Sequence, residues 1–383
     1  LVPHLIAIGS EIPRKLQFSL WAKGSTQFTI CMNLNDLIRP HIRELSPYRS
    51  ARDEFDGEAS LYLDANENSL GSVTEGAFHR YPDPLQQAVK AALATLKGVQ
   101  SNQIFLGNGS DEPIDLLFRA FCEPRRDHVI TMPPTYGMYQ VSADLNQVKV
   151  VPVPLSDDFH LNVPEVMSAL RPGTKLVFIC SPNNPSGNLM SRGAIETILG
   201  RTKGLVVVDE AYIDFAPEAS MLSWLDQYPN LVVLQTFSKA WGLAGLRLGM
   251  AFAHPDVIAV LNKIKSPYNV NSLTQTHALE ALARAENKDQ MVQQLIEARG
   301  HLDSALRTLP VVQHIYPSDA NFLLVKVDDG DRRYRELVAS GTIVRNRSRV
   351  ALCEDCLRIT VGTPSENETL IEQMAQMAVE APV

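Results

Sequence analysis

In TFSKAWGLAGLRLG, residues 236–249, Ser238 and Lys239 stand side by side, and Arg247 follows eight residues after the lysine across Gly242 and Gly245. No carboxylate lies in this stretch, and its flanks are apolar. Charge among apolar neighbours is costly unless an opposite charge meets it, so the pattern asks for an anion. A lysine amine close to another cation loses its proton more readily and becomes a nucleophile toward an aldehyde. An arginine grips a phosphate with two parallel N–H groups, and a hydroxyl adds a further donor. Three other stretches carry complementary groups. In LGNGSDEPIDLLF, residues 106–118, a strand-like run ends in a glycine-rich turn before a helical pattern. Backbone N–H groups around Ser110 and Asp111 at such a helix start form an anion site. In LVVVDEAYIDF, residues 205–215, Asp209 closes an apolar strand and Tyr212 comes three residues later. Ligands of open α/β sheets bind at that end of the strands. In SPNNPSG, residues 181–187, two prolines and a glycine fix a turn with Asn183 and Asn184 at its tip.

Each stretch alone has a plain reading: a solvated lysine, a glycine turn, a strand terminus, a loop. Together they offer an amine for an aldehyde, a cup for a phosphate and an acid for a ring nitrogen. Those are the requirements of pyridoxal 5'-phosphate. A nucleotide site fits less well. No Gly-Lys-Ser/Thr follows Gly107 or Gly109, Glu112 stands where GxGxxG needs its third glycine, and Lys239 is left unexplained. Cys353 and Cys356 have CxxC spacing without a second pair to complete a metal site, so they are read as loop thiols and no metal is expected.

The elements that must position these groups follow from the apolar pattern. HVITM, VKVVPVP, KLVFICS, LVVVDEAY, LVVLQTFS and LGMAFAH are apolar throughout rather than alternating. Such runs predict strands buried on both faces, hence a mostly parallel sheet under helices. DPLQQAVKAALATLKG predicts a helix ending at Gly98, and PIDLLFRAF one with Ile114, Leu117, Phe118 and Phe121 on a single face. Residues 272–309 read as one long helical segment that bridges to a second unit. NFLLVKV, TIVRNR and LRITVG then predict strands, and Thr363-Pro364-Ser365-Glu366 a capping box before a final helix. The expected fold is therefore α/β, a large domain with a mostly parallel sheet of about seven strands, plus a smaller α+β domain. Residues 1–31 are expected to be an extension ahead of a natural start at Met32, and 32–75 an arm packing on the small domain. The large domain is placed at 76–275 and the small one at 276–383. The 383 residues carry a net charge of −8 with both signs mixed, which argues against a nucleic-acid surface. No apolar run approaches the length of a membrane span. Five scattered cysteines point to a reducing, cytoplasmic setting.

LDANEN (63–68), RYPDP (80–84), GNGSDE (107–112), SPNNPSG, VVVDEAYIDF, TFSKAWGLAGLRLG and LRITVGT (357–363) together resemble the histidinol-phosphate aminotransferases. These belong to the class I/II pyridoxal-phosphate aminotransferases of fold type I. The resemblance runs in order from about Met32 to about residue 380. It implies that Lys239 takes the cofactor aldehyde as a Schiff base and shuttles a proton. It makes Asp209 the partner of the pyridine nitrogen, and Tyr212 and Asn184 partners of the ring oxygen. Tyr136 would stack on the ring, and Ser110, Asp111, Ser238 and Arg247 would surround the phosphate. Tyr81 is similar to a tyrosine lent to the neighbouring subunit, which implies a homodimer with shared sites. Arg345, Arg358 and Tyr48 would receive the anionic groups of the substrate. The implied reaction is a ping-pong exchange between L-histidinol phosphate and 2-oxoglutarate. An aromatic amino-acid aminotransferase and a threonine-phosphate decarboxylase are the alternatives on the same scaffold. A binding protein that has lost catalysis is disfavoured because every chemical position is intact.

Overall fold

A computed structural model describes residues 33–48 and 60–379. The expected extension at 1–31, with Cys31, lies outside the described residues, as does part of the arm. Two sheets organise the rest. The larger consists of β1 (Ile104–Asn108), β2 (His128–Thr131), β3 (Lys149–Pro152), β4 (Thr174–Cys180), β5 (Leu205–Asp209), β6 (Leu231–Thr236) and β7 (Leu248–Ala253). Its seven strands run in the order β1-β7-β6-β5-β4-β2-β3. All neighbours are parallel except β7, which is antiparallel to both β1 and β6.

The apolar runs without alternation have their reason in the layers. In β5, Val206 and Val208 enter the core on one face of the sheet, and Leu205 and Val207 the core on the other. Leu231 and Val233 of β6 are divided from Val232 and Leu234 in the same way. One face is covered by α3 (Asp111–Phe121), α4 (Met138–Leu145) and α7 (Pro255–Ile264). The other is covered by α2 (Gln87–Lys97), α5 (Val163–Ala169), α6 (Arg192–Leu199) and α8 (Ser272–Leu282). Helix α2 ends as its sequence predicts, with Gly98 in the left-handed conformation at φ +67°. Ile114, Leu117, Phe118 and Phe121 of α3 are all buried against the sheet.

The smaller sheet joins β8 (Val312–Ile315), β9 (Phe322–Val327), β10 (Arg345–Asn346) and β11 (Cys356–Thr360), all antiparallel, in the order β10-β11-β9-β8. Helices α9 (Ala285–Leu306), α10 (Gly330–Ala339) and α11 (Pro364–Val379) accompany it. The capping box forms: the Thr363 N–H donates to Glu366 at 2.7 Å, and the Glu366 N–H donates to the Thr363 hydroxyl at 3.4 Å.

Four expectations need correction. The arm does not pack on the small domain over its first described part. Leu34, Ile38 and Ile42, spaced four apart, form a stripe that closes on α3 and α7, with short α1 (Pro40–Glu44) at its end. The Arg39 N–H donates to the Ala120 carbonyl at 2.9 Å, and its guanidinium pairs with Glu123 at 3.2 Å. The single helix expected over 272–309 is two, broken at Ala283 and Arg284, because α8 serves the large core and α9 the small one. Strand β8 was not expected; it is an edge strand whose two central residues are exposed, so it carries little apolar signal. Cys353 does lie in the loop before β11, but Cys356 opens that strand, and both thiols are buried in the core, where burial pushes both up to about 12.

Candidate active site

The C-terminal ends of β4, β5 and β6 open into one cavity with the start of α3 and the loop after β6. Asp209, the last residue of β5, is almost wholly buried there. Its carboxylate accepts the Tyr139 O–H at 2.6 Å and the Ala211 N–H at 3.1 Å. Burial lifts it to about 6; the two hydrogen bonds and Lys239 oppose that rise, and Asp111 adds to it. No ion pair meets Asp209 among the described residues. A buried acid that faces a cavity in this way suits a cationic ring nitrogen.

Beyond β6, Phe237 and Trp241 anchor the loop in the core and leave Lys239 open to the cavity. The Phe237 N–H donates to the Leu248 carbonyl at 3.0 Å, and the Leu243 N–H returns to the Phe237 carbonyl at 3.0 Å. The Lys239 ammonium lies 5.6 Å from the Tyr212 ring centre. Surrounding protein, and next the Arg358 guanidinium, hold it below the ordinary lysine range. An amine with fewer protons is the better nucleophile. Arg358 comes from β11 of the small domain and donates to the Asn184 side-chain oxygen at 2.5 Å. Asn184 in turn donates to the Tyr212 hydroxyl at 3.4 Å.

At the far side, Ser238 accepts from Thr236 at 3.0 Å and from Arg247 at 3.4 Å. Arg247 is in the left-handed region at φ +54° and lies 3.6 Å from Asp111. Gly109 sits at φ +69°, and a Cβ there would fall 2.6 Å from the Arg247 guanidinium. A Cβ on Gly249 would run into the backbone of Gly109 and Ser110. The missing side chains leave the guanidinium, the Ser238 hydroxyl and the start of α3 around one space. That donor set fits a phosphate monoester. Amine, acid and phosphate cup together fit pyridoxal 5'-phosphate.

Residues 60–374 match the family model for aminotransferase class I and II. Over 343 residues the chain is 53% identical to the histidinol-phosphate aminotransferase of Cytophaga hutchinsonii, covering 90% of this chain and 99% of that relative. The chain belongs to the histidinol-phosphate aminotransferase family. Two solved structures share its fold. The histidinol-phosphate aminotransferase from Clostridium acetobutylicum superposes with a TM-score of 0.74 at 20% identity, covering 79% of this chain and 92% of that one. The enzyme of that name from Sinorhizobium meliloti, in complex with pyridoxal-5'-phosphate, gives 0.73 at 24% identity, covering 82% of this chain and 89% of that one. The two-sheet architecture is that of aminotransferase fold type I, and the cofactor of the class is pyridoxal 5'-phosphate.

In this aminotransferase the cavity gathers Ser110, Asp111, Tyr136, Asn184, Asp209, Tyr212, Ser238, Lys239 and Arg247 from the sequence reading. Arg358 reaches its edge through Asn184. Three residues stand apart. Tyr81 is half-exposed and stacks on Tyr268 with ring centres 4.4 Å apart. Tyr48 is exposed. Arg345 lies opposite Arg358 in the β10–β11 ladder and, like Arg358, is not among the residues lining the cavity. The sequence reading missed Tyr139, which holds Asp209 and stacks on Phe178 at 4.6 Å. Its signal was the spacing in PPTYGMY: three residues after Tyr136, both tyrosines meet the same end of the sheet. It also missed Thr236 and Cys180, which line the cavity as the ends of β6 and β4. A strand terminus gives no separate sequence signal for them.

Proposed function

We propose that this aminotransferase interconverts L-histidinol phosphate and 2-oxoglutarate with imidazole-acetol phosphate and L-glutamate, as a step of histidine biosynthesis. The observation that carries the chemistry is a lysine held below its ordinary range and a buried acid with no ion-pair partner among the described residues, both lining one cavity beside a phosphate cup. When bound, pyridoxal 5'-phosphate supplies an aldehyde for amines and a ring that draws electrons from the substrate Cα. Lys239 would hold that aldehyde, and its amine would carry the substrate Cα proton as general base and then general acid. Asp209 would hold a proton on the ring nitrogen, and the Tyr139 hydrogen bond favours its ionised form and aims it. Tyr212 and Asn184 would hold the ring oxygen, Tyr136 would stack on the ring, and Ser110, Asp111, Ser238 and Arg247 would hold the phosphate. Arg345, Arg358 and Tyr48 take the anionic groups of the substrates. Substrate likeness comes from the Cytophaga hutchinsonii relative, whose name specifies histidinol phosphate.

The active unit is a homodimer with shared sites. Leu61, Leu63, Leu70, Val73 and Phe78 are exposed on the segment that leads to Tyr81. An apolar stretch of that extent is suited to cover by a second copy, which would bring Tyr81 to its partner's cavity. We place the enzyme in the cytoplasm, in keeping with the four cysteines among the described residues, all free; no described helix is long and apolar enough to cross a membrane.

The test mixes holoenzyme with L-histidinol phosphate and no acceptor. The visible absorbance should bleach, and 2-oxoglutarate should restore it. Bleaching only with phenylalanine or tyrosine would reassign the substrate to aromatic amino acids. Carbon dioxide released from threonine phosphate without any acceptor would reassign the reaction.

A further inference from the structure

Arg347 stands two residues beyond Arg345 on the edge of the small sheet. The β10–β11 pairing puts Arg345 opposite Arg358, and the Arg347 N–H continues the ladder by donating to the Cys356 carbonyl at 2.8 Å. Residues two apart along a strand share a face, as do residues directly opposite. Arg345, Arg347 and Arg358 therefore occupy one face of the sheet. On that face Cys356 and Leu324, the latter opposite Arg358, pack into the large-domain core. Leu357 and Ile359, on either side of Arg358, turn into the small domain's own core. The three guanidiniums thus belong to the face turned toward the cavity, where Arg358 already reaches Asn184.

None of the three has a carboxylate partner among the described residues. The Nε of Arg347 and that of Arg358 are buried without an acceptor. A buried charged donor left unpaired is unfavourable, and neighbouring like charges add repulsion. Burial, then Arg358 and Arg345, hold Arg347 below the ordinary guanidinium range. An arrangement this unfavourable on its own is complementary to an anion carrying more than one charge. Each carboxylate of glutamate carries one. A phosphate monoester carries about 1.5 to 2 negative charges near neutral pH, on three acceptor oxygens.

We propose that Arg347 is a third arginine of the substrate-anion site, gripping the phosphate of the amino substrate with Arg345 and Arg358 and so favouring phosphorylated over unphosphorylated substrates. The assignment rests on the substrate reading given above. It is tested on holoenzyme, whose cofactor fills the other phosphate cup, by titrating wild type and Arg347→Gln with inorganic phosphate in a calorimeter. Both are then assayed with L-histidinol phosphate and with L-glutamate as amino donors. The phosphate Kd and the KM for histidinol phosphate should rise about 10- to 100-fold, the loss of one charged hydrogen-bond partner. The kcat should stay within about threefold, as should the KM for glutamate, because the lost contact grips only the phosphate. Arg347→Lys should recover part of the loss and serves in place of the glutamine variant if that one misfolds. Unchanged phosphate binding, or equal losses with glutamate and histidinol phosphate, would overturn the inference and leave Arg347 a structural residue. Phosphate binding that depends on Arg347, in an enzyme that does not turn over histidinol phosphate, would uphold the grip and reject the substrate.

Discussion

Asp209 is almost wholly buried at the end of β5 and meets two hydrogen-bond donors but no ion-pair partner among the described residues. Its folded value of about 6 lies above the ordinary carboxyl range near 4. Between about pH 4 and about pH 6 the folded chain therefore binds more protons at this position than the unfolded chain. The group loses stability for the fold as pH rises through that window, and the full cost is present above it. An asparagine of the same shape carries no charge at any of these pH values. Cofactor-free Asp209→Asn should accordingly melt higher than cofactor-free wild type at about pH 8, with the gap closing toward about pH 4. Thermal melts of the two proteins at both pH values check this; a gap independent of pH would show that the charge of Asp209 is not what the fold resists. The same variant should bind pyridoxal 5'-phosphate more weakly, because the ring nitrogen loses the anion that holds its proton. Stability given up for function at one residue is the expected pattern at a binding site.

At the scale of elements, the strand-to-helix turn between β1 and α3 can be tested against an internal control. Gly109 at φ +69° and Gly98 at φ +67° share a backbone conformation that costs an alanine about 1–2 kcal/mol. A Cβ at Gly98 meets nothing within 4 Å, whereas one at Gly109 meets the Arg247 guanidinium at 2.6 Å. Gly98→Ala and Gly109→Ala should therefore lose similar stability in cofactor-free melts. Only Gly109→Ala should raise the cofactor Kd, by about tenfold or more if one bidentate grip is lost. Equal cofactor affinities in the two variants would remove Arg247 from the phosphate cup. This turn, the strand ends at Asp209 and Ser238, and the large sheet were legible in the sequence because each is a local pattern: an apolar run, then a turn residue, then a polar group. What was not legible depended on where a segment packs. The break between α8 and α9 has no proline to announce it, and it exists because Ala278 and Leu302 belong to different cores. Leu34, Ile38 and Ile42 declare a helical stripe but not the helices it closes on. Arg347 reads as one of several charges in VRNRSR until the ladder sets it beside Arg345 and Arg358.

At the scale of the whole molecule, Tyr81 is not among the residues lining its own chain's cavity, and it sits half-exposed against Tyr268 beyond a run of exposed apolar residues. If a second copy covers that run, one subunit supplies Lys239 and the other Tyr81 to each site. Lys239→Ala lacks the amine in every site of its own dimer, and Tyr81→Ala lacks the tyrosine in every site of its own. Mixing the two after partial unfolding and reassembly gives hybrids, about half of all dimers when exchange is random. Within a hybrid, the subunit that keeps Lys239 faces a partner that keeps Tyr81, so one of its two sites is whole while the other lacks both groups. The mixture should recover about a quarter of wild-type activity from two weak parents, and a tagged purification of hybrids about half. A monomer, or a dimer in which Tyr81 serves its own chain, gives no recovery above the average of the parents. Sedimentation of the wild type separates those two failures, since a dimer without complementation would move Tyr81 out of the shared site and a monomer would remove the shared site altogether.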